Sequence, residues 1–155
     1  MSYYLLDTNI IIGFLRGSQW ASYIDLKYKI SKPLTLVHLS TVTLREIYSL
    51  AIQFNWGDKK KHDLDYLLHL FPLVDINQQE IIEKYADIDA YSQKKHSNIK
   101  IPEARKMQSD NDIWIAATAS VLNAKLITTD KDFDHLDEVF LKVIYIDQKL
   151  TPANV

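Results

Sequence analysis

Short apolar runs alternate with stretches of helical period along almost the whole chain, and this alternation constrains the fold more than any other feature of the sequence. The run "YYLL" at 3–6 has no polar interruption, as expected of a strand covered on both faces. Directly after it the period changes. Ile10, Ile11, Phe14 and Leu15 fall on one face of a helix that Arg16 and Gly17 close, which makes Asp7, Thr8 and Asn9 the strand-to-helix turn. Ser18 then caps a second helix with Trp20, Tyr23, Ile24 and Tyr28 on one face, and Pro33 ends it.

The pattern repeats downstream. "LTLVHLS" at 34–40 reads as a strand, and a helix over about 41–54 turns Ile47, Leu50, Ala51 and Phe54 inward. Gly57 with residues 59–62 marks an exposed connection, "HDLDYLLHLF" is an amphipathic helix stopped by Pro72, and "PLVDI" is a strand or an extended connector. "NQQEIIEKYADIDAYSQ" is a further helix, whereas 94–111 shows no period and reads as a loop with room for a short helix. In "DIWIAATASVLNAKLITTD" a small face of Ile113, Ala116, Ala117, Ser120 and Val121 predicts close helix packing; Asn123 ends that helix and "KLITT" enters a buried strand. "KVIYID" supplies a last strand. Strands that are apolar on both faces and alternate with helices predict a mainly parallel central sheet with helices on each side.

With 155 residues, 47% of them apolar or aromatic, the chain suits a single domain over 1–155. It has no cysteine, which excludes disulfides, thiolate zinc sites and cysteine nucleophiles. The formal net charge of -2 neither proposes nor excludes nucleic acid, because binding depends on where charge lies. Asp7 and Arg16 interrupt the first apolar run, no basic segment precedes it, and no stretch reaches the roughly 18 apolar residues a bilayer span needs. The expectation is a cytoplasmic protein with no membrane association.

Ligands of open α/β sheets gather outside the carboxyl ends of the strands. Asp7 and Asp130 each follow a strand, Asp112 opens the helix that feeds "KLITT", and Glu46 lies in the first turns of the helix after "LTLVHLS". In a parallel sheet these four carboxylates approach one edge, where their mutual repulsion calls for a cation. Oxygen-only ligation favours Mg²⁺ or Mn²⁺ over zinc, and such an ion suits phosphodiester hydrolysis without a covalent intermediate. Each acid also has a plainer explanation. Asp7 suits an N-cap, Thr43 and Glu46 fit a capping box, Asp112 suits the helix macrodipole with Asp110 or Asn111 as cap, and Asp130 suits a turn. None of these explains why all four fall at one edge.

The stretches "LLDTNIIIGFLRG", "TVTLREIYSLA", "NDIWIAATA" and "LITTDKDF", in that order over nearly the whole chain, resemble the PIN-domain superfamily and, within it, the VapC toxins of bacterial toxin-antitoxin pairs. The resemblance implies a three-layer α/β/α fold and a Mg²⁺-dependent endoribonuclease. Its metal would be held chiefly by Asp7 and Asp112, with Glu46 and Asp130 completing the acidic set and Thr8 or Asn9, and Thr129, as supporting polar groups. It further implies an RNA substrate, tRNA or another structured RNA among the candidates, a homodimer, and a cognate antitoxin lying across an apolar groove, for which the early helices with Trp20, Tyr23, Ile24 and Tyr28 are the expected place. The alternatives are a PIN nuclease of RNA processing or one acting on DNA, and a catalytically silent domain that binds RNA or protein. Lys59, Lys60 and Lys61 read as a solvated face. Lys94, Lys95, Lys100, Arg105 and Lys106 are balanced between that and phosphate contacts, and His38, His62, His69, His96 and His135 show no ligand spacing.

Overall fold

The computed structural model describes every residue except Met1, Lys106 and Gln108. Its strands β1 (Tyr3–Leu6), β2 (Leu36–Ser40), β3 (Leu73–Val74), β4 (Lys125–Thr128) and β5 (Lys142–Tyr145) form one five-stranded sheet in the spatial order β3-β2-β1-β4-β5. Every pairing is parallel. The chain builds outward from β1 to β3 on one side, then returns to lay β4 and β5 on the other. The order therefore reverses between β1 and β4, and it is at such a point that an open α/β sheet leaves a crevice.

Among the described residues, six α-helices connect the strands: α1 (Thr8–Arg16), α2 (Gln19–Tyr28), α3 (Thr41–Gln53), α4 (Asp58–Leu70), α5 (Gln79–Ser92) and α6 (Asp110–Val121). Side chains of a strand alternate between its faces, and β1 shows what that does here. Tyr4 and Leu6 join a core with Ile10, Ile24, Ile47 and Leu64 from α1 to α4. Leu5 joins the other core, with Ile81 and Ile88 of α5 and Ile115 and Ala116 of α6. Helices thus cover both faces, giving the three-layer α/β/α arrangement.

Several boundaries differ from the sequence reading. The first helix takes in Thr8 and Asn9, so Asp7 alone remains between strand and helix. Helix α2 stops at Tyr28, well before Pro33, because Lys29 turns into the left-handed region at φ 55° and its N–H closes onto the Asp25 carbonyl. Lys59 to His62 belong to the first turns of α4, not to a connection; Gly57 is the N-cap, and Leu64 is the helix's buried residue. Phe54 is the C-cap of α3 and is 67% exposed, so it does not extend the inward face. Helix α6 is buried over more than the small face: Ile115, Thr118 and Ala119 are also fully enclosed, as a helix wedged between the sheet and α5 must be.

Candidate active site

Asp7 leaves the end of β1 with its N–H bonded to the Ile127 carbonyl of β4 at 3.0 Å, which pins it at the strand-order reversal. Its side chain is only 4% exposed. One carboxylate oxygen accepts the Thr8 N–H at 2.7 Å, as an N-cap does, and the other accepts the Thr128 hydroxyl at 2.7 Å. The helix-capping explanation and a place in the site therefore hold together.

Glu46 is different. Ser40 caps α3, accepting the Val42 N–H at 3.2 Å, so Thr43 is already inside the helix and the expected capping box does not form. The Glu46 side chain instead reaches across to the neighbouring helices. It accepts the Thr8 hydroxyl on one oxygen and the Asn111 amide on the other, the latter at 2.8 Å. Arg45 in turn donates to the Asn111 side-chain oxygen. Ser109, not Asp110 or Asn111, occupies the N-cap position of α6, which puts Asp112 in the first turn of that helix. Asp130, just past β4, accepts the Asp132 N–H at 2.8 Å and donates its own N–H to the Thr128 hydroxyl at 3.0 Å.

Asp7, Glu46, Asp112 and Asp130 all line one cavity of about 580 Å³, with Thr8 and Asn9 in its wall. Thr129 does not line it and belongs to an adjoining cavity; the residue that bonds Asp7 is Thr128. Asp132 and Asp134 stay outside both. Ser109, Asn111 and Arg45 also line the site, and the sequence reading singled out none of them for it. The nearest signal was position: Asn111 precedes Asp112, and Arg45 precedes Glu46.

Burial, first, and then the charge of the neighbouring acids raise two of these carboxyls, Asp7 and Asp112. Burial pushes the Asp112 carboxyl up to about 6, helped by the charges of Asp130 and Glu46 and opposed by hydrogen bonds from Ser109. Burial pushes Asp7 up to about 7, with Asp112 and Glu46 adding to the rise and the Thr128 and Thr8 bonds opposing it.

A cluster that resists its own ionisation is one that a cation would relieve. The donors are all oxygen, which suits a hard divalent ion. Among the described residues, however, no group of three or more acidic or histidine side chains is arranged to hold a metal ion as it stands. A pair of carboxylates suffices for Mg²⁺, which commonly takes one or two and keeps several waters. Asp7 and Asp112 fit that role.

The basic residues divide. Lys59 pairs with Asp63, and Lys60 lies over the Trp56 ring at 4.3 Å, so both decorate the surface of α4. Lys94 and Lys100 donate to the carbonyls of Pro102 and His96 within their own loop. Lys95 and Arg105 line a separate cavity that meets the acidic one at Ser109, and Lys106 lies outside the described residues. No histidine lines the acidic cavity. Of the aromatic face of α2, Tyr23 and Ile24 are core, and Trp20 and Tyr28 are half-buried.

This fold and site define a class: an α/β/α domain with an acidic crevice at the carboxyl edge of a parallel sheet. The sequence matches the PIN domain family over residues 4–139, and the chain belongs to that family, whose members are nucleases. Among curated proteins none matches by sequence. The fold is similar to a chain of VapBC2 from Rickettsia felis bound to a DNA fragment from its promoter, with a TM-score of 0.73 and 19% identity over 94% of this chain and 99% of that one. It is likewise similar to VapBC-1 from nontypeable Haemophilus influenzae (TM-score 0.68, 23% identity, 92% and 97% covered) and to FitAcB from Neisseria gonorrhoeae (0.65, 25%, 91% and 96%). Among the described residues no helix is long and apolar enough to cross a membrane.

Proposed function

We propose that the protein is a metal-dependent endoribonuclease, the toxin of a VapBC-type toxin-antitoxin pair, working with Mg²⁺ or Mn²⁺ in the cytoplasm as a homodimer that a cognate antitoxin restrains. The observation that carries the catalytic part is the meeting of Asp7, Glu46, Asp112 and Asp130 on one cavity. The toxin assignment rests on the likeness to VapBC structures.

Asp7 and Asp112 would hold the ion, with Glu46 and Asp130 in support. A bound divalent cation supplies Lewis acidity toward a phosphate oxygen and offsets the charge of the cluster. The chain's own residues prepare the site for it. Thr128 and the Thr8 N–H fix both oxygens of Asp7, so that carboxylate is oriented before anything binds. Glu46 is likewise fixed on both oxygens, by Thr8 and Asn111, which ties α1, α3 and α6 into one frame.

The test is incubation of purified protein with total small RNA in Mg²⁺ or Mn²⁺, in EDTA, and as the Asp112→Asn variant, with the new ends mapped. Defined cuts that require both the metal and Asp112 are expected. Folded protein that binds the ion and cuts DNA but no RNA would overturn the ribonuclease reading, and failure to bind any divalent ion would overturn the metal site.

A further inference from the structure

Among the described residues, the acidic cavity has one basic residue in its wall, Arg45, and it adjoins a second cavity that also holds one, Arg16. The two cavities share Asn9, Ile12 and Asp130, so they are parts of one cleft. From the fold's side the reason is plain: Asn9, Ile12, Gly13 and Arg16 stand at helical spacing along α1, and they lead from the acids to the end of that helix. On the other helix Arg45, Ser49 and Gln53 stand at i, i+4 and i+8 and line the acidic cavity, with Gln53 donating to Ser49 at 2.8 Å.

Neither arginine forms an ion pair among the described residues, although Arg45 shares its cavity with four carboxylates and Arg16 shares its own with Asp130. Arg45 donates to the neutral Asn111 side chain, which leaves other guanidinium N–H groups free to reach a ligand. A guanidinium with unspent donors beside a phosphate-cleaving site matches the bidentate geometry of a phosphate.

We propose that Arg45 and Arg16 are phosphate anchors for a single-stranded RNA laid along this cleft, with Ser49 and Gln53 giving hydrogen bonds to the strand beside Arg45. A single strand is favoured because Asp7 lines the cavity with only 4% of its surface exposed, and an unpaired strand is the form of RNA that can be splayed into a crevice. The half-buried Trp20 ring lines the Arg16 part of the cleft. This inference rests on the ribonuclease reading above.

The experiment is fluorescence anisotropy of a labelled, mixed-sequence, single-stranded RNA 12-mer in Ca²⁺, repeated across a salt series, with cleavage in Mg²⁺ measured in parallel. Arg45→Ala and Arg16→Ala should each weaken binding about tenfold and reduce the slope of log K against log salt by about 0.7, the loss of one phosphate contact on a single strand. Arg45→Lys should restore the slope but not the full affinity, because the charge returns without the fork of donors. Lys59→Ala, on the far surface of α4, should change neither quantity. Binding and slope unaltered in both arginine variants, with RNA still cut, would overturn the anchors and leave the nuclease standing. If the unsubstituted protein neither binds nor cuts RNA, the anchors and the ribonuclease reading fall together.

Discussion

A carboxylic acid that keeps its proton to about pH 7 makes the folded state sensitive to pH in a direction opposite to that of a salt-bridged one, and Asp7 is such a group. Its ordinary value is 3.8, so between about pH 4 and 7 the folded chain holds a proton that the unfolded chain has released. Stability of the metal-free protein due to Asp7 therefore falls as pH rises through that window, by up to about 1.4 kcal/mol per pH unit, and levels off above it. Asp112 acts in the same sense up to about 6. Burial lowers His38 and His135, which works the other way, removing stability as pH falls below their ordinary 6.5. Asp7→Asn isolates the acid: in EDTA its Tm should exceed that of the unsubstituted protein at pH 8 and converge with it near pH 4. Mg²⁺ should raise the Tm of the unsubstituted protein more at pH 8 than at pH 5 and leave Asp7→Asn nearly unmoved; a difference between the two proteins that does not vary with pH would mean that Asp7 titrates normally. Thr128→Val strands one Asp7 oxygen without its donor and should cost about 1–3 kcal/mol in chemical denaturation at pH 8. That the four acids meet on one cavity was legible in the sequence, because Asp7, Asp112 and Asp130 stand beside changes of period and Glu46 lies in the first turns of the helix after β2. Thr128 was not, because "TT" before Asp130 offers two hydroxyls and only the strand's register decides which one faces Asp7.

Helix α1 carries a glycine in its interior, which costs helix stability unless packing needs it. Packing does: a Cβ added at Gly13 would stand 2.0 Å from the Trp20 ring of α2. Gly13→Ala should therefore destabilise the fold by about 1–3 kcal/mol in denaturant unfolding, against the slight gain that alanine brings an unhindered helix. Combining it with Trp20→Leu should recover most of that loss if the ring is the cause. Ser40→Ala should cost about 1 kcal/mol by removing the cap of α3, and with it the placement of Glu46. Elements with a buried stripe were legible down to a residue or two, as β1, α3 and α6 show. The boundary errors at α2 and α4 fell where no apolar period exists to read. Asp58 to Lys61 give α4 a wholly polar first turn that looks like a connection, and Lys29 ends α2 through a left-handed conformation that no glycine or asparagine announces.

Two cores on opposite faces of one sheet could in principle melt apart, and the path of the chain argues that they do not. Strand β1 lies at the centre of the sheet and sends Tyr4 and Leu6 into one core and Leu5 into the other, so neither core can lose its packing on β1 without loosening the other. The sheet is also entirely parallel, which makes β1 depend on partners that lie far off in sequence on both sides: β2 and β4. The active site inherits this coupling, because Asp7 continues β1 while Asp112 and Asp130 flank β4. The three tryptophans report on the two faces separately, Trp20 and Trp56 on one and Trp114 on the other. A variant that keeps only Trp56 and another that keeps only Trp114, with phenylalanine at the remaining two positions, should each unfold in urea at the same midpoint by fluorescence as by far-ultraviolet circular dichroism. A fluorescence midpoint that departs from the dichroism midpoint in either variant would mean that one helical layer opens alone, and that the site can be dismantled while half of the molecule remains folded.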